Sequence, residues 1–337
     1  QENLAVALEG SGAALSTTPL SVSEVEENIA LVVSTSGSTG AAKSVLISSA
    51  ALIASTNACH KYLGAVPGDS WSLLLPTTHI AGLNVLIRAT ALGTRVIDNR
   101  NTTNYVDADF ISIVPTQLQK ALSGDDRLLE HLTAAEAVLV GASALSDKLK
   151  KEAASKHIKV ITTYGMTEMS GGCVYNQKPL DGVEIKVNSE GLIQLTGPML
   201  ATGYLDEKGN NIKISDSDWF ESNDLGEFVN GSLKVLGRAD DVINSGGVKI
   251  SLSDVEAQIN AVIPTAEIIT FSMPDDKWGQ MLCLASTTAV DLVKIKAALG
   301  PVLTPKSSFV FQFIPRTTLG KPDRIMAAEI AKKIENK

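Results

Sequence analysis

Short apolar runs recur along the first half of the chain, and each is closed by a loop rich in glycine or hydroxyl residues. Ile29–Val33, Trp71–Leu75, Phe110–Val114, Ala137–Val140 and Lys159–Thr162 are apolar with few interruptions and predict buried strands. Between them lie stretches with helical spacing. Ser48–Leu63 carries Leu52, Ala58, Cys59 and Leu63 along one side, Leu83–Leu92 ends at Gly93, and Ser146 stands where it can N-cap a helix bearing Leu149 and Ala153. Strand, loop and helix alternate, so the expected fold is α/β, with mostly parallel sheets flanked by helices. Ligands of such sheets gather at the carboxyl ends of the strands.

From about residue 181 the pattern changes. Val183–Val187, Leu192–Leu195, Gly226–Val229 and Leu233–Val235 are short alternating runs between Gly, Asn and Asp turns, which predicts a small antiparallel sheet or distorted β-barrel over 181–236. After the polar break Gly237–Asp241, helices are expected at Ser253–Ile263, Val290–Leu299 and Ile325–Ile334. Strands are expected at Ile268–Met273, Met281–Ser286 and Phe309–Ile314. The organisation read from this is an N-terminal domain, 1–239, and a small α+β C-terminal domain, 240–337, with its hinge at Asp240.

Composition narrows the function classes. The 337 residues are 44% hydrophobic and carry a net charge of -8, which suits a globular chain with a sizeable core and argues against nonspecific nucleic-acid binding. No run approaches the roughly 20 apolar residues of a membrane span. The three cysteines, Cys59, Cys173 and Cys283, have neither metal-site nor disulfide-framework spacing. No signal-peptide pattern is read at Gln1, and a cytoplasmic enzyme of small molecules is expected, with no membrane insertion and a homodimer left open.

The stretch with the most chemistry is Ser34-Thr35-Ser36-Gly37-Ser38-Thr39-Gly40-Ala41-Ala42-Lys43. Glycines let backbone N–H groups approach an anion, and hydroxyls and a lysine add donors and charge, which is what holding phosphates requires. Gly37–Ser44 nearly fits the P-loop, but Ala42 occupies the place of its second glycine. Two polar residues stand out in apolar surroundings. His79 follows a strand end, and Arg88 lies within the apolar segment Leu83–Leu92, where a guanidinium needs either a carboxylate or an anionic ligand.

Further motifs follow in order: the His79 segment, Gly141-Ala142-Ser143, Tyr164-Gly165-Met166-Thr167-Glu168, Asn223-Asp224, Gly237-Arg238-Ala239-Asp240-Asp241, Gly246-Gly247-Val248-Lys249-Ile250 and Gly320-Lys321-Pro322-Asp323-Arg324. With the first loop they span the chain, which resembles the adenylate-forming superfamily of acyl-CoA synthetases, luciferases and adenylation domains. The resemblance implies ATP, Mg²⁺ and CoA as reaction partners. Thr35, Ser36, Gly37, Ser38, Thr39, Gly40 and Lys43 would hold the β- and γ-phosphates. Thr167 would contact the α-phosphate, and Glu168 would carry the metal. Tyr164 would stack on adenine, with the Gly141, Ala142 and Ser143 backbone at its edge. Asp224 would bind the ribose, assisted by Arg238. Lys321 would bridge the substrate carboxylate and the α-phosphate. Asp240 would be the pivot of the mobile C-terminal domain, and Gly246, Gly247 and Lys249 would face CoA, the second glycine adding flexibility there.

The segments Leu75–Arg88, Val114–Leu118, Gly171–Tyr175 and Pro179–Gly182 resemble most the o-succinylbenzoyl-CoA synthetase branch of that superfamily, in a short form with a reduced region before the phosphate loop. His79, Arg88 and Gly165 would then line the acyl site. Other aryl-acid CoA ligases, and adenylating enzymes that load a carrier protein, share these motifs and remain alternatives at this level.

Overall fold

The computed structural model of the protein describes residues 1–10, 12–20, 22–36, 42–206, 208–215, 217–264, 266–316 and 322–335. The chain divides into two units, Gln1–Ser222 with Glu227–Lys234, and Asn223–Gly226 with Val235–Lys337. Strands Phe220–Val229 and Ser232–Arg238 are shared out between them.

In the first unit the apolar runs that follow Ile29–Val33 become one sheet. Ile97–Asp98, Trp71–Leu73, Phe110–Ile113, Ala137–Val140 and Val160–Met166 lie side by side in parallel, and Gly171–Tyr175 and Lys178–Pro179 continue it antiparallel. Every residue of Trp71–Leu73, Phe110–Ile113 and Ala137–Val140 is buried, as a parallel sheet covered on both faces demands. The pleat then sorts side chains to two cores. Phe110 and Leu139 join Trp71, Val85 and Tyr175 on one face, whereas Ile111, Ile113, Val138 and Val140 meet Leu118 and Leu132 on the other. Helix Ile80–Ala91 supplies the first cover, helices Pro115–Leu122 and Asp126–Ala134 the second. The last of these was not read from the sequence. Asp125 caps it by accepting from the Leu128 N–H, and it buries Leu128, His131 and Leu132.

A second sheet runs Leu15–Ser16, Ile29–Ser36, Ala42–Ser48, Gly203–Leu205, Asn211–Lys213. Here the sequence reading needs correction. The hydroxyl- and glycine-rich stretch was expected between a strand and a helix, but the described residues on either side of it are antiparallel strands whose register runs from Ile29↔Ser48 to Ser36↔Ala42. The returning strand buries Val45, Leu46 and Ile47 and was too short a run to be noticed. Helix Ser49–Leu63 follows at once, capped by Ser48, whose hydroxyl accepts from the Ala51 N–H at 3.2 Å. The four alternating runs expected after 181 fall in one four-stranded sheet, ordered Glu184–Val187, Leu192–Thr196, Phe220–Val229, Ser232–Arg238, whereas Gly203–Leu205 and Asn211–Lys213, which were not read from the sequence, extend the sheet of Ala42–Ser48.

The second unit is built on a sheet ordered Val248–Ser251, Val242–Ser245, Gly279–Ser286, Ile268–Asp275, with Ser307–Val310 parallel to Gly279–Ser286. Helices Leu252–Val262, Leu292–Leu303 and Arg324–Glu335 pack on it, burying Ile259, Ile295 and Ala327 among others. Among the described residues, no helix is long and apolar enough to cross a membrane.

The first turn of helix Ile80–Ala91 sits on the loop before it so closely that a Cβ at Gly82 would overlap the Pro76 carbonyl oxygen. Gly82→Ala should therefore destabilise the protein by about 2–3 kcal/mol and lower its Tm, because backbone rather than a flexible side chain must give way. An unchanged melting temperature would show that the loop yields without cost.

Candidate active site

The carboxyl edge of the parallel sheet collects the first unit's expected site residues. Strand Trp71–Leu73 leads to His79, which caps helix Ile80–Ala91. Strand Ala137–Val140 leads to Gly141-Ala142-Ser143, an exposed loop in which Ala142 has φ 71°. A non-glycine residue in that region is strained, and such strain gathers where backbone groups are presented to a ligand. Strand Val160–Met166 carries half-buried Tyr164 and exposed Gly165 and runs into a 3₁₀ turn, Thr167–Met169, with Thr167 buried.

That turn is anchored from three sides. Buried Ser170 has φ 54°, and its hydroxyl donates to the Met199 carbonyl at 2.8 Å. Its own carbonyl accepts from Asn84 Nδ2 at 2.9 Å and from the Ser55 hydroxyl at 3.4 Å. The Glu168 carbonyl accepts from the Ala201 N–H at 2.8 Å. Because of these anchors, the Glu168 side chain is aimed at the hairpin sheet, where the Tyr204 hydroxyl donates to Oε1 at 3.0 Å. Burial, then the neighbouring Glu168 carboxylate, push the Tyr204 phenol above its ordinary pKa, so it stays a donor. Lys43 Nζ lies 5.1 Å from the centroid of the same ring. Thr35 donates to the Lys43 carbonyl at 3.3 Å. One tyrosine thus brings together a carboxylate from one sheet and an ammonium from the other. Gly37, Ser38, Thr39 and Gly40 lie outside the described residues, as does Lys321; Ser36 pairs with Ala42 at the hairpin's end.

Arg88 is buried. It has no carboxylate partner among the described residues. NH2 donates to the Tyr175 hydroxyl at 3.1 Å, and Cζ stands 5.1 Å from the centroid of the Trp71 ring. Tyr175 in turn donates to Cys59 Sγ at 3.4 Å. Burial opposes the guanidinium charge, but Cys59 and Tyr175 outweigh it and the pKa is raised. His60 packs against Trp71 with ring centroids 6.4 Å apart. Burial and then the positive charge of Arg88 hold the His60 pKa down to about 4, against an opposing effect of Asp69.

The second unit holds the remaining candidates. Arg238 forms a two-pronged ion pair with Asp240, Nε–Oδ1 and NH2–Oδ2 both 2.8 Å, and NH1 lies 3.5 Å from Asp224 Oδ1. The Asp240 hydrogen bond, opposed by burial, raises the Arg238 pKa. Gly246 and Gly247, with φ 60° and 85°, form the two-residue turn between Val242–Ser245 and Val248–Ser251. Both need positive φ, so the second glycine meets the demand of a tight turn rather than loosening a loop. Trp278 closes over this turn: a Cβ at Gly246 would lie 2.6 Å from its Cε3, and the Gly246 N–H donates to the Trp278 carbonyl at 2.8 Å. Lys277 and Lys306 lie over the indole at 5.0 and 5.2 Å, while Lys249 is exposed on the hairpin.

Comparison with known proteins places this geometry. Residues 3–205 match the AMP-binding enzyme family. The chain belongs to that family. A probable 2-succinylbenzoate–CoA ligase of Mycobacterium tuberculosis H37Rv is 34% identical, covering 89% of this chain and 84% of its own length. The 2-succinylbenzoate–CoA ligase of Lactococcus lactis is 28% identical over 90% of this chain and 71% of its own. Among solved structures, o-succinylbenzoate coenzyme A synthetase from Bacillus subtilis superposes with TM-score 0.78 and 26% identity, both in complex with its acyl-adenylate intermediate and in complex with ATP and magnesium. The first covers 89% of this chain and 69% of the other, the second 90% and 71%. As a member of the AMP-binding family with these relatives, the chain has the mixed α/β architecture that its motifs implied.

Sequence reasoning missed Tyr204, Ser170, Asn84, His60 and Trp278. Tyr204 carries no motif, and only the pairing Tyr204↔Val45 reveals that it stands beside the strand of Lys43.

His60 gives this site a pH signature. Its folded pKa, about 4, lies below the ordinary 6.5, so the unfolded chain takes up a proton at a pH where the folded chain still excludes it. Stability should therefore be complete above about 6.5 and fall as pH drops toward 4, by about 2–3 kcal/mol from this residue. His131, whose pKa burial also lowers, acts in the same direction, so the difference between wild type and His60→Leu isolates the effect. Denaturant unfolding of the variant should show a shallower pH dependence across that window; parallel curves would place His60 in water.

Proposed function

We propose that the protein is an AMP-forming acid–thiol ligase that adenylates o-succinylbenzoate and transfers the acyl group to CoA, a step of menaquinone biosynthesis. The observation that carries this reading is Tyr204, with Glu168 on its hydroxyl and Lys43 over its ring, in a chain whose residues 3–205 match the AMP-binding enzyme family. The acid is supported by relatives named for 2-succinylbenzoate and by a solved relative complexed with its acyl-adenylate.

The chemistry explains the parts. A carboxylate resists thiols because oxide is a poor leaving group. Attack of a carboxylate oxygen on the α-phosphorus of ATP forms the acyl–phosphate bond and expels pyrophosphate. The CoA sulfur then attacks the acyl carbon and expels AMP. Both steps crowd negative charge, so positioning and electrostatic stabilisation do the work. Lys43 and the Thr35–Gly40 segment would hold the outer phosphates, and Thr167 the α-phosphate. Among the described residues no three His, Cys, Asp or Glu side chains cluster as a metal cage. Glu168 therefore fits Mg²⁺ only as a single carboxylate, with phosphate oxygens and water completing the set. When bound, that ion would neutralise charge on the phosphates. Tyr164 would take the adenine face, the Gly141–Ser143 backbone its edge, and Asp224 the ribose, with Arg238 held beside it. Gly246, Gly247 and Lys249 would serve the CoA step.

o-Succinylbenzoate carries a second carboxylate, and Arg88, buried without a carboxylate partner among the described residues, is the cation that would match it, with His79 and Gly165 at the acyl site. Incubation with ATP, Mg²⁺, o-succinylbenzoate and CoA should give AMP, pyrophosphate and the thioester. Arg88→Ala should lower kcat/KM for the acid at least about tenfold with little change in ATP binding. Production of ADP, or an active Arg88→Met variant, would refute the assignment.

The two half-reactions need different groups at one place, and a C-terminal domain turning about Asp240 would exchange Lys321 for the Gly246–Gly247 turn. Lys321→Ala should slow adenylation by about 10²-fold while thioester formation from synthetic acyl-AMP survives. Asp240→Pro should do the reverse, since proline fixes φ at the pivot. Equal slowing of both steps by both variants would remove the alternating-domain account.

A further inference from the structure

The group around Arg88 contains more unpartnered donors than a structural arginine needs. Arg88 Nε, His60 Nε2, Trp71 Nε1 and Thr56 Oγ1 are all buried, and none has a hydrogen-bond partner among the described residues. They come from three elements: Thr56 and His60 are one turn apart on helix Ser49–Leu63, Trp71 opens its strand, and Arg88 lies on helix Ile80–Ala91. Trp71 ties them together, with His60 and Arg88 both packed against its ring. Leaving one such atom unpaired costs about 1–3 kcal/mol, so four in one neighbourhood call for an acceptor that the described residues do not provide.

We propose that His60 is a specificity-determining residue of the acyl site, a neutral hydrogen-bond donor that works beside Arg88 on the substrate carboxylate that is not adenylated. This rests on the ligase reading above. The charges facing the group support the match. On its own helix His60 adjoins Cys59. From the following turn comes Asp69, whose carboxylate already accepts from the Val66 N–H at 2.8 Å. From the antiparallel strand come Tyr175, whose pKa burial raises well above its ordinary value, and Cys173, whose thiol burial pushes up to about 12. The phenol and that thiol are therefore neutral at physiological pH, and so is His60, whose proton affinity burial and Arg88 reduce. One guanidinium charge then faces one carboxylate, and His60 adds direction without a second buried charge. A charged histidine here would repel Arg88, and an apolar residue would leave a carboxylate oxygen unpaired.

The test compares kcat/KM for o-succinylbenzoate and for 4-oxo-4-phenylbutanoate, which lacks the ring carboxylate, in the full-length protein. His60→Leu should lower the value for the diacid about tenfold and leave the monoacid unchanged, the scale of one buried hydrogen bond to a charged group. His60→Gln, which keeps a donor, should restore the diacid to within about threefold of wild type. If the leucine variant does not fold, His60→Asn, whose shorter amide is withdrawn, should show the same diacid-only loss. Equal loss for both acids, or no loss for either, overturns the role of His60 while the ligase reading stands. A wild-type protein inactive on both acids overturns the ligase reading and this inference with it.

Discussion

The first unit depends on how its two sheets meet at Glu168. A parallel sheet exposes its ligand-binding groups only at one edge, and here that edge is tied to the neighbouring sheet. The Ala201 N–H on the Glu168 carbonyl and the Tyr204 hydroxyl on its side chain join the two. The second bond is charge-assisted and partly buried, which makes it stronger than an exposed pair would be. It also requires Ser170 to stay at φ 54°, a conformation that costs energy for serine and persists because three hydrogen bonds to Ser170 over-determine it.

This dependence explains which parts of the site were legible in the sequence. The motif residues at strand ends, His79, Gly141 and Thr167–Glu168, were readable because apolar runs of a parallel sheet are continuous and their ends are punctuated. The hairpin was not readable: Val45–Ile47 is only three apolar residues, and its strand follows the loop without a turn signal before helix Ser49–Leu63. Tyr204 was out of reach for a different reason. Its partners, Glu168 and Lys43, are distant in sequence, and long-range register is set by packing rather than by local propensity. Gly246–Gly247 was seen as a motif but the tight turn it forms was not, because a turn's φ demand shows only once the flanking strands are paired.

Arg88 illustrates what the sequence supplies and where it stops. An arginine within an apolar helix announces an unusual partner but does not say which. The structure narrows the choice by the chemistry around it: a phenol, an indole face and a neutral imidazole, with no carboxylate partner among the described residues.

Arg324, a partly buried arginine in the same chain, shows how different a structural one looks. In the second unit, Arg324 Nε and NH2 bind both oxygens of Asp241 at 2.8 and 3.3 Å, and NH1 donates to Glu256 Oε2 at 2.9 Å and to the Thr270 carbonyl at 3.0 Å. Asp241 is further held by the Ser253 hydroxyl at 2.9 Å, and Glu256 accepts from the Thr270 N–H at 2.8 Å. Every partner there is itself paired, so the charge is neutralised within the fold and the network stands to lose several kcal/mol if one member is removed. Because Arg324 opens the last helix and Asp241 follows strand Ser232–Arg238, that network fixes the start of the helix to the 3₁₀ turn Ala239–Asp241. Arg88 is more deeply buried than Arg324, and among the described residues it has no carboxylate partner and its Nε has no hydrogen-bond partner. The fold neutralises one guanidinium with its own carboxylates, whereas no described carboxylate offsets the desolvation of the other, and that difference sets the two arginines apart.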